Sequence, residues 1–183
     1  MKRFDTMTLP GMTTTLVEAR AWVSANAPAG AICPCCNQVA KVYRRKLNRA
    51  MAYSLICLHR LSSEADEAGF IDVPRLLAKH GLVSVLRSRE YQKLRYWGLV
   101  EAKGEKRDDG GKAGKYKITE TGKLFVTGSL ALPRYVLLYN GAVLEIDKTE
   151  KITIREALGD KFNYNELMSL RAEAPESVLG SAG

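Results

Sequence analysis

A chain of 183 residues, 46% hydrophobic and 26% charged, has enough apolar mass for a packed core and an ordinary share of charge. It has no apolar run long enough to span a bilayer, and Met1-Lys2-Arg3-Phe4-Asp5 leads into no apolar stretch; neither a membrane span nor a signal peptide is expected, and the expected location is the cytoplasm. The net charge of +8 is unevenly spread: nine Lys/Arg face two Asp/Glu over residues 1–62, 13 face 10 over 63–128, and 6 face 8 over 129–183. Clustered basic charge favours a polyanionic partner, because each cation that neutralises a phosphate releases a condensed counterion; a merely solvated basic surface is the alternative.

In chain order, the first twelve residues read as flexible, and Thr15-Leu16-Val17-Glu18 fits a capping box that opens a helix to about Ala25, stopping before Pro28. Val39 to Tyr43 alternates as a short strand. From Leu47 the period becomes helical, with Leu47, Met51, Leu55, Leu58 and Leu61 on one stripe. A second helix is signalled at Asp72, which can cap, with Pro74 tolerated in the first turn and His80-Gly81 closing it. A third is expected from about Ser88 to Trp97, ending at Gly98. Leu99 to Ala102 reads as a strand, residues 104–114 as a polar, glycine-rich excursion, and Lys115 to Thr119 as a returning strand. Thr119 or Thr121 opens a short helix through Val126. Beyond Gly128, Asn140-Gly141 predicts a hairpin turn within Tyr135 to Ile146, and Thr153 with Glu156 forms a second capping box closed by Gly159. Asn163 to Glu166 can start a last helix. The expected class is therefore α+β: a winged helix-turn-helix core over 47–127, an N-terminal helix and cysteine-bearing element over 1–46, a C-terminal β-hairpin/helix extension over 128–172, and a disordered tail over 173–183.

The third helix carries the functional expectation. At about 100° per residue, Arg89, Gln92, Lys93 and Tyr96 share a face opposite Tyr91 and Leu94, offering fork donors for guanine, an amide for adenine, and phosphate contacts. In the glycine-rich wing, Lys106, Arg107 and Lys112 are placed to meet backbone or minor groove. Lys41 to Arg49 holds five basic residues in nine, and Arg44, Arg45 and Lys46 read either as a second phosphate-contacting patch or as a solvated junction. An ordinary solvated helix face remains the alternative for the third helix.

Cys33-Pro34-Cys35-Cys36 looks like one knuckle of a zinc ribbon, with Cys33 and Cys36 as metal ligands. A zinc site normally needs four ligands, and no second CxxC follows. Cys57 and His59, two apart on a helix, point about 200° from each other and cannot readily share an ion. A site shared across a homodimer, buried structural cysteines, and a knuckle without metal all stay open. His80 is expected to satisfy the last turn of its helix, and His59 to flank the first core helix. No nucleophile–base arrangement and no phosphate-binding loop is present, so no enzyme is expected.

Lys93-Leu94-Arg95-Tyr96-Trp97-Gly98-Leu99-Val100-Glu101 and Tyr116 through Val126 resemble the recognition-helix, wing and last-helix pattern of winged-helix regulators. The cysteine element, Lys41 through Asn48, Trp97-Gly98-Leu99, and Glu156-Ala157-Leu158-Gly159 through Phe162 to Leu167-Met168 resemble a group of bacteriophage- and prophage-encoded proteins over roughly residues 33–168. The resemblance implies a phage or prophage origin and supplies no activity. The expected function is double-stranded DNA binding, sequence-tolerant or sequence-specific, by a phage or prophage regulator. A non-enzymatic module binding host or phage proteins is the rival, and a metal-dependent nuclease is a distant third.

Overall fold

The Glu18 amide donates to the Thr15 hydroxyl, and the Glu18 carboxylate takes back the Thr15 amide at 2.8 Å, so a complete capping box opens α1 (Leu16–Asn26). In the computed structural model, residues 14–104 and 114–169 are described. The expectations for the first twelve residues, for most of the wing and for the tail over 173–183 lie outside them. The architecture is α+β with small antiparallel sheets. It divides into two compact units, one made of residues 1–45 with Leu137–Ile146, the other of Lys46–Val136 with Asp147–Gly183.

In the first unit, α1 is followed by a hairpin of β1 (Ala31–Ile32) and β2 (Val39–Ala40), in the register Ala31 to Ala40 and Ile32 to Val39. The single strand expected over Val39 to Tyr43 is thus two, because Val42 donates its amide to the Ala27 carbonyl at 3.0 Å and leaves the ladder before β3 (Tyr43–Lys46). The three-stranded sheet β3–β7–β8 takes in β7 (Leu132–Tyr139) and β8 (Ala142–Ile152), each of which runs through both units. Between them, Asn140 and Gly141 both have positive φ, 49° and 74°, the two left-handed residues of the expected tight turn.

The second unit is built around α2 (Arg49–Arg60), in which every side chain from Met51 to Leu58 is buried. Its cap is Asn48, whose side chain accepts from the Met51 amide at 3.0 Å. Arg49, an unfavourable charge at a helix start, turns away to the Leu158 carbonyl at 2.9 Å. A short strand β4 (Ile71–Asp72) precedes α3 (Val73–Lys79), which Asp72 caps through the Arg75 amide and which ends at His80-Gly81 as expected. Then come α4 (Val83–Ser88), a 3-10 helix over Glu90–Trp97, β5 (Val100–Ala102), β6 (Lys115–Ile118) and α5 (Glu120–Val126). The sheet order is β4–β6–β5, antiparallel throughout, with Val100 opposite Ile118 and Ile71 opposite Tyr116. Thr119 caps α5, and Gly122 sits so close to β5 that an added Cβ would lie 2.2 Å from the Leu99 carbonyl oxygen; only glycine fits. The helices α6 (Ile154–Leu158, opened by the Thr153/Glu156 box) and α7 (Tyr164–Ser169) close over α2, with Tyr53 stacked on Phe162 at 5.3 Å and the Tyr164 hydroxyl on the Val126 carbonyl at 2.8 Å.

One expected element is different. The helix from Ser88 to Trp97 is not a single α-helix: α4, unannounced in the sequence, ends at Ser88, Arg89 takes a left-handed φ of 52°, and residues 90–97 wind as a 3-10 helix. The reason is tertiary. Tyr91, Leu94 and Trp97 recur every third residue, so a three-residue turn buries all three on one line; Trp97 is fixed by its indole N–H to the Pro133 carbonyl at 2.7 Å and Tyr91 by its edge contact with Tyr116.

Candidate nucleic-acid interface

The change of helix type redistributes the third helix. With three residues per turn, Glu90, Lys93 and Tyr96 form one row and Gln92 and Arg95 another. The four side chains expected on one face therefore separate. Lys93 is half-buried and ion-paired with Glu90, which also receives the Asn48 side chain at 3.5 Å, so its charge is largely spent inside the protein. Gln92 and Tyr96 are half-buried, while Arg95 is exposed, with its guanidinium 5.1 Å from the centre of the Tyr96 ring. Arg89 is exposed at the junction.

The exposed polar face lies one element earlier. On α4, Ser84, Arg87 and Ser88 are spaced three and four apart and are all exposed, while Val85 on the other side is buried. Arg87 and Arg89 bracket the helix break, and their side chains have no hydrogen-bond or ion-pair partner among the described residues. An arginine in the left-handed region costs about 1 kcal/mol or more, and such strain is characteristic of ligand-contacting positions. Sequence reasoning passes over Ser84, Arg87 and Arg95. The signal that could have found the first two is the Ser84-x-x-Arg87-Ser88 spacing just after the Gly81 stop.

At the root of the β5–β6 hairpin, Lys103 donates its amide to the Lys115 carbonyl at 3.0 Å, which sets these two lysines on the last described rung. Lys103 and Lys117 both approach the Phe70 ring, at 5.7 and 5.8 Å, and the Lys117 ammonium reaches the Ala68 carbonyl at 2.9 Å. Lys106, Arg107 and Lys112 lie outside the described residues. No protein family, no curated protein and no solved structure matches the chain, so its own residues carry the functional reading.

In the first unit, Tyr43 and Arg44 are exposed on β3 and Arg45 is half-buried, with the Lys41 ammonium 5.0 Å from the Tyr43 ring centre; Lys46 begins the second unit and is exposed. The cysteine segment forms the loop of the β1–β2 hairpin. The Cys33 amide donates to the Gln38 carbonyl at 2.8 Å and the Asn37 amide to the Cys33 carbonyl at 2.9 Å, with Asn37 left-handed at φ 57°. The backbone amides of Cys35 and Cys36 aim at the Cys33 sulfur and hold its thiol below the ordinary cysteine range. Among the described residues no three of His, Cys, Asp and Glu converge as a metal-holding group. Cys57 is buried in α2, where desolvation pushes its thiol up to about 11, and His59 is held below the usual histidine range by burial and by Lys123. His80 does not serve its helix end alone: its ring meets the Glu64 carboxylate, which Lys79 also reaches at 2.6 Å. No helix among the described residues is long and apolar enough to cross a membrane.

Proposed function

We propose that the second unit is a winged helix-turn-helix module that binds double-stranded DNA, without catalysis, in the cytoplasm of a bacterial host. The observation that carries this is the element order from α2 to β6, namely helix, a 3-10 turn over Leu61–Glu64, strand, helix, helix, the 3-10 helix Glu90–Trp97, strand and strand, with sheet order β4–β6–β5 and a short, arginine-bearing exposed face on the second helix of the pair. In that arrangement α4 enters the major groove with Ser84, Arg87, Ser88 and Arg89, and the wing root meets phosphate through Lys103, Lys115 and Lys117, continued by Lys106, Arg107 and Lys112. Gln92 and Tyr96 flank the groove, and Lys93 contributes least because Glu90 neutralises it. The likeness to phage and prophage proteins supports a phage or prophage origin.

The test is a fluorescence-anisotropy titration of duplex DNA across a salt series. Affinity should fall steeply with salt, by close to one power per phosphate contact. Arg87→Ala should weaken binding by about 1–3 kcal/mol, and Arg89→Ala should flatten the salt slope by about one. Binding indifferent to salt and to both substitutions would sink the DNA reading and leave the protein-binding module.

A further inference from the structure

The first unit carries Cys33 and Cys36 on the tight loop of the β1–β2 hairpin, and among the described residues no third His, Cys, Asp or Glu joins them as a metal-holding group. The loop 33–38 is closed across its neck by the Cys33 and Gln38 backbone, and Asn37 makes the left-handed corner. All four cysteines and both histidines of the sequence lie within the described residues. Cys57 is sealed in α2 and His80 is engaged by Glu64, and neither Cys35 nor His59 joins Cys33 and Cys36 in a group of three ligands among the described residues.

Beside the loop, Ile32 and Val39 are directly opposed across the hairpin and therefore share a face, and both are exposed, at 57% and 61%. Two large apolar side chains flanking an incomplete two-sulfur site suit a two-fold contact, in which the same patch meets itself around an axis through the ion. The charge also fits. Four thiolates on a divalent ion leave two negative charges, whereas this unit carries six Lys/Arg against three Asp/Glu.

We propose that Cys33 and Cys36 bind a zinc ion jointly with the same two cysteines of a second copy of this chain, forming a tetrahedral four-sulfur centre that joins two protomers through the Ile32/Val39 faces. A hairpin loop favours this over a dithiol redox motif, which uses a helix N-terminus. Binding exchanges four thiol protons for one zinc ion, with no change of oxidation state.

The full chain, purified under reductant with zinc supplied, would be measured by light scattering and elemental analysis together. The expected result is a dimer carrying one zinc for two chains, converted to monomer by a chelator. Cys33→Ser and Cys36→Ser should each cut zinc content by about tenfold and abolish the dimer, while Cys35→Ser retains both. Should the serine variants fold poorly, cobalt substitution of the wild-type protein gives an independent readout: the intense visible bands of a tetrahedral cobalt thiolate, saturating at one cobalt for two chains. A monomer holding one metal per chain, a dimer that survives both chelation and Cys33→Ser, or a Cys33–Cys36 disulfide with no metal uptake after reduction would each overturn the proposal. Duplex binding by α4 is measured separately and stands or falls on its own.

Discussion

The two units solve the problem of burial in opposite ways. The unit around α2 buries nearly all of the core, including Leu47, Met51, Leu58, Leu94 and Phe125, and leaves only Val83 and Leu124 as exposed large hydrophobic side chains among its described residues. The other buries three alanines and Leu138 among its described apolar residues, and exposes Leu16, Val17, Ile32, Val39, Tyr43, Val143, Leu144 and Ile146. A unit this small, with its large apolar groups outside and its small ones inside, has little hydrophobic stabilisation of its own; domains of that size commonly rely on a metal, a cross-link or association. The contrast separates a self-sufficient module from one whose surface is finished by something else.

Three measurements press on that contrast. The largest effect is expected from Phe125→Ala, which removes a fully buried side chain from the self-sufficient unit and should lower unfolding free energy by about 3–5 kcal/mol in denaturant titration. Leu144→Ser, at an exposed position, should change the same transition by less than about 0.5 kcal/mol; an equal loss would mean that the apolar surface of the first unit already supports the fold. Next, Arg89→Gly relieves the left-handed strain and should raise thermal stability by about 1 kcal/mol while weakening duplex binding. A variant that lost both would show Arg89 to be structural.

The smallest effect is a pH dependence. Hydrogen bonds from Thr153 hold the Glu156 carboxyl below its ordinary range, as those from Thr15 do for Glu18. A depressed carboxyl contributes stability that is present above the ordinary glutamate value of about 4.3 and is lost as pH falls through the lower folded value. Glu156→Ala should therefore reduce the loss of stability between about pH 5 and pH 3 in the main unfolding transition. Glu18→Ala, in the thinly packed unit, should leave that transition unchanged; matching slopes would make the two units one cooperative body.

Local chemistry is legible in the sequence. Both capping boxes, the Asp72 cap with Pro74 behind it, the Gly81 stop and the Asn140-Gly141 turn are where the residues put them, because each is settled by atoms within four positions of one another. The break at Arg89 is not legible. No glycine or proline marks it, α4 has no side-chain cap, and what holds an arginine left-handed is the burial of Tyr91, Leu94 and Trp97 against partners distant in sequence. A three-residue apolar spacing reads equally as an α-helical stripe, so the polar face is expected over residues 89–96 when Ser84, Arg87 and Ser88 bear the exposed surface of α4.

The hairpin of β7 and β8 belongs to one unit at its base and to the other at its tip, and this sets an order of events during synthesis. Residues 1–45 leave the ribosome first, yet Leu137–Ile146, which complete that unit, follow roughly 90 residues later, about 5–20 s at ordinary elongation rates. The strands that finish the first unit are drawn out of a chain whose α2-to-α5 segment has already emerged and can begin to fold. Throughout that interval the cysteine loop is outside the ribosome with its thiols accessible, so the metal binding proposed for it would precede closure of the unit that bears it.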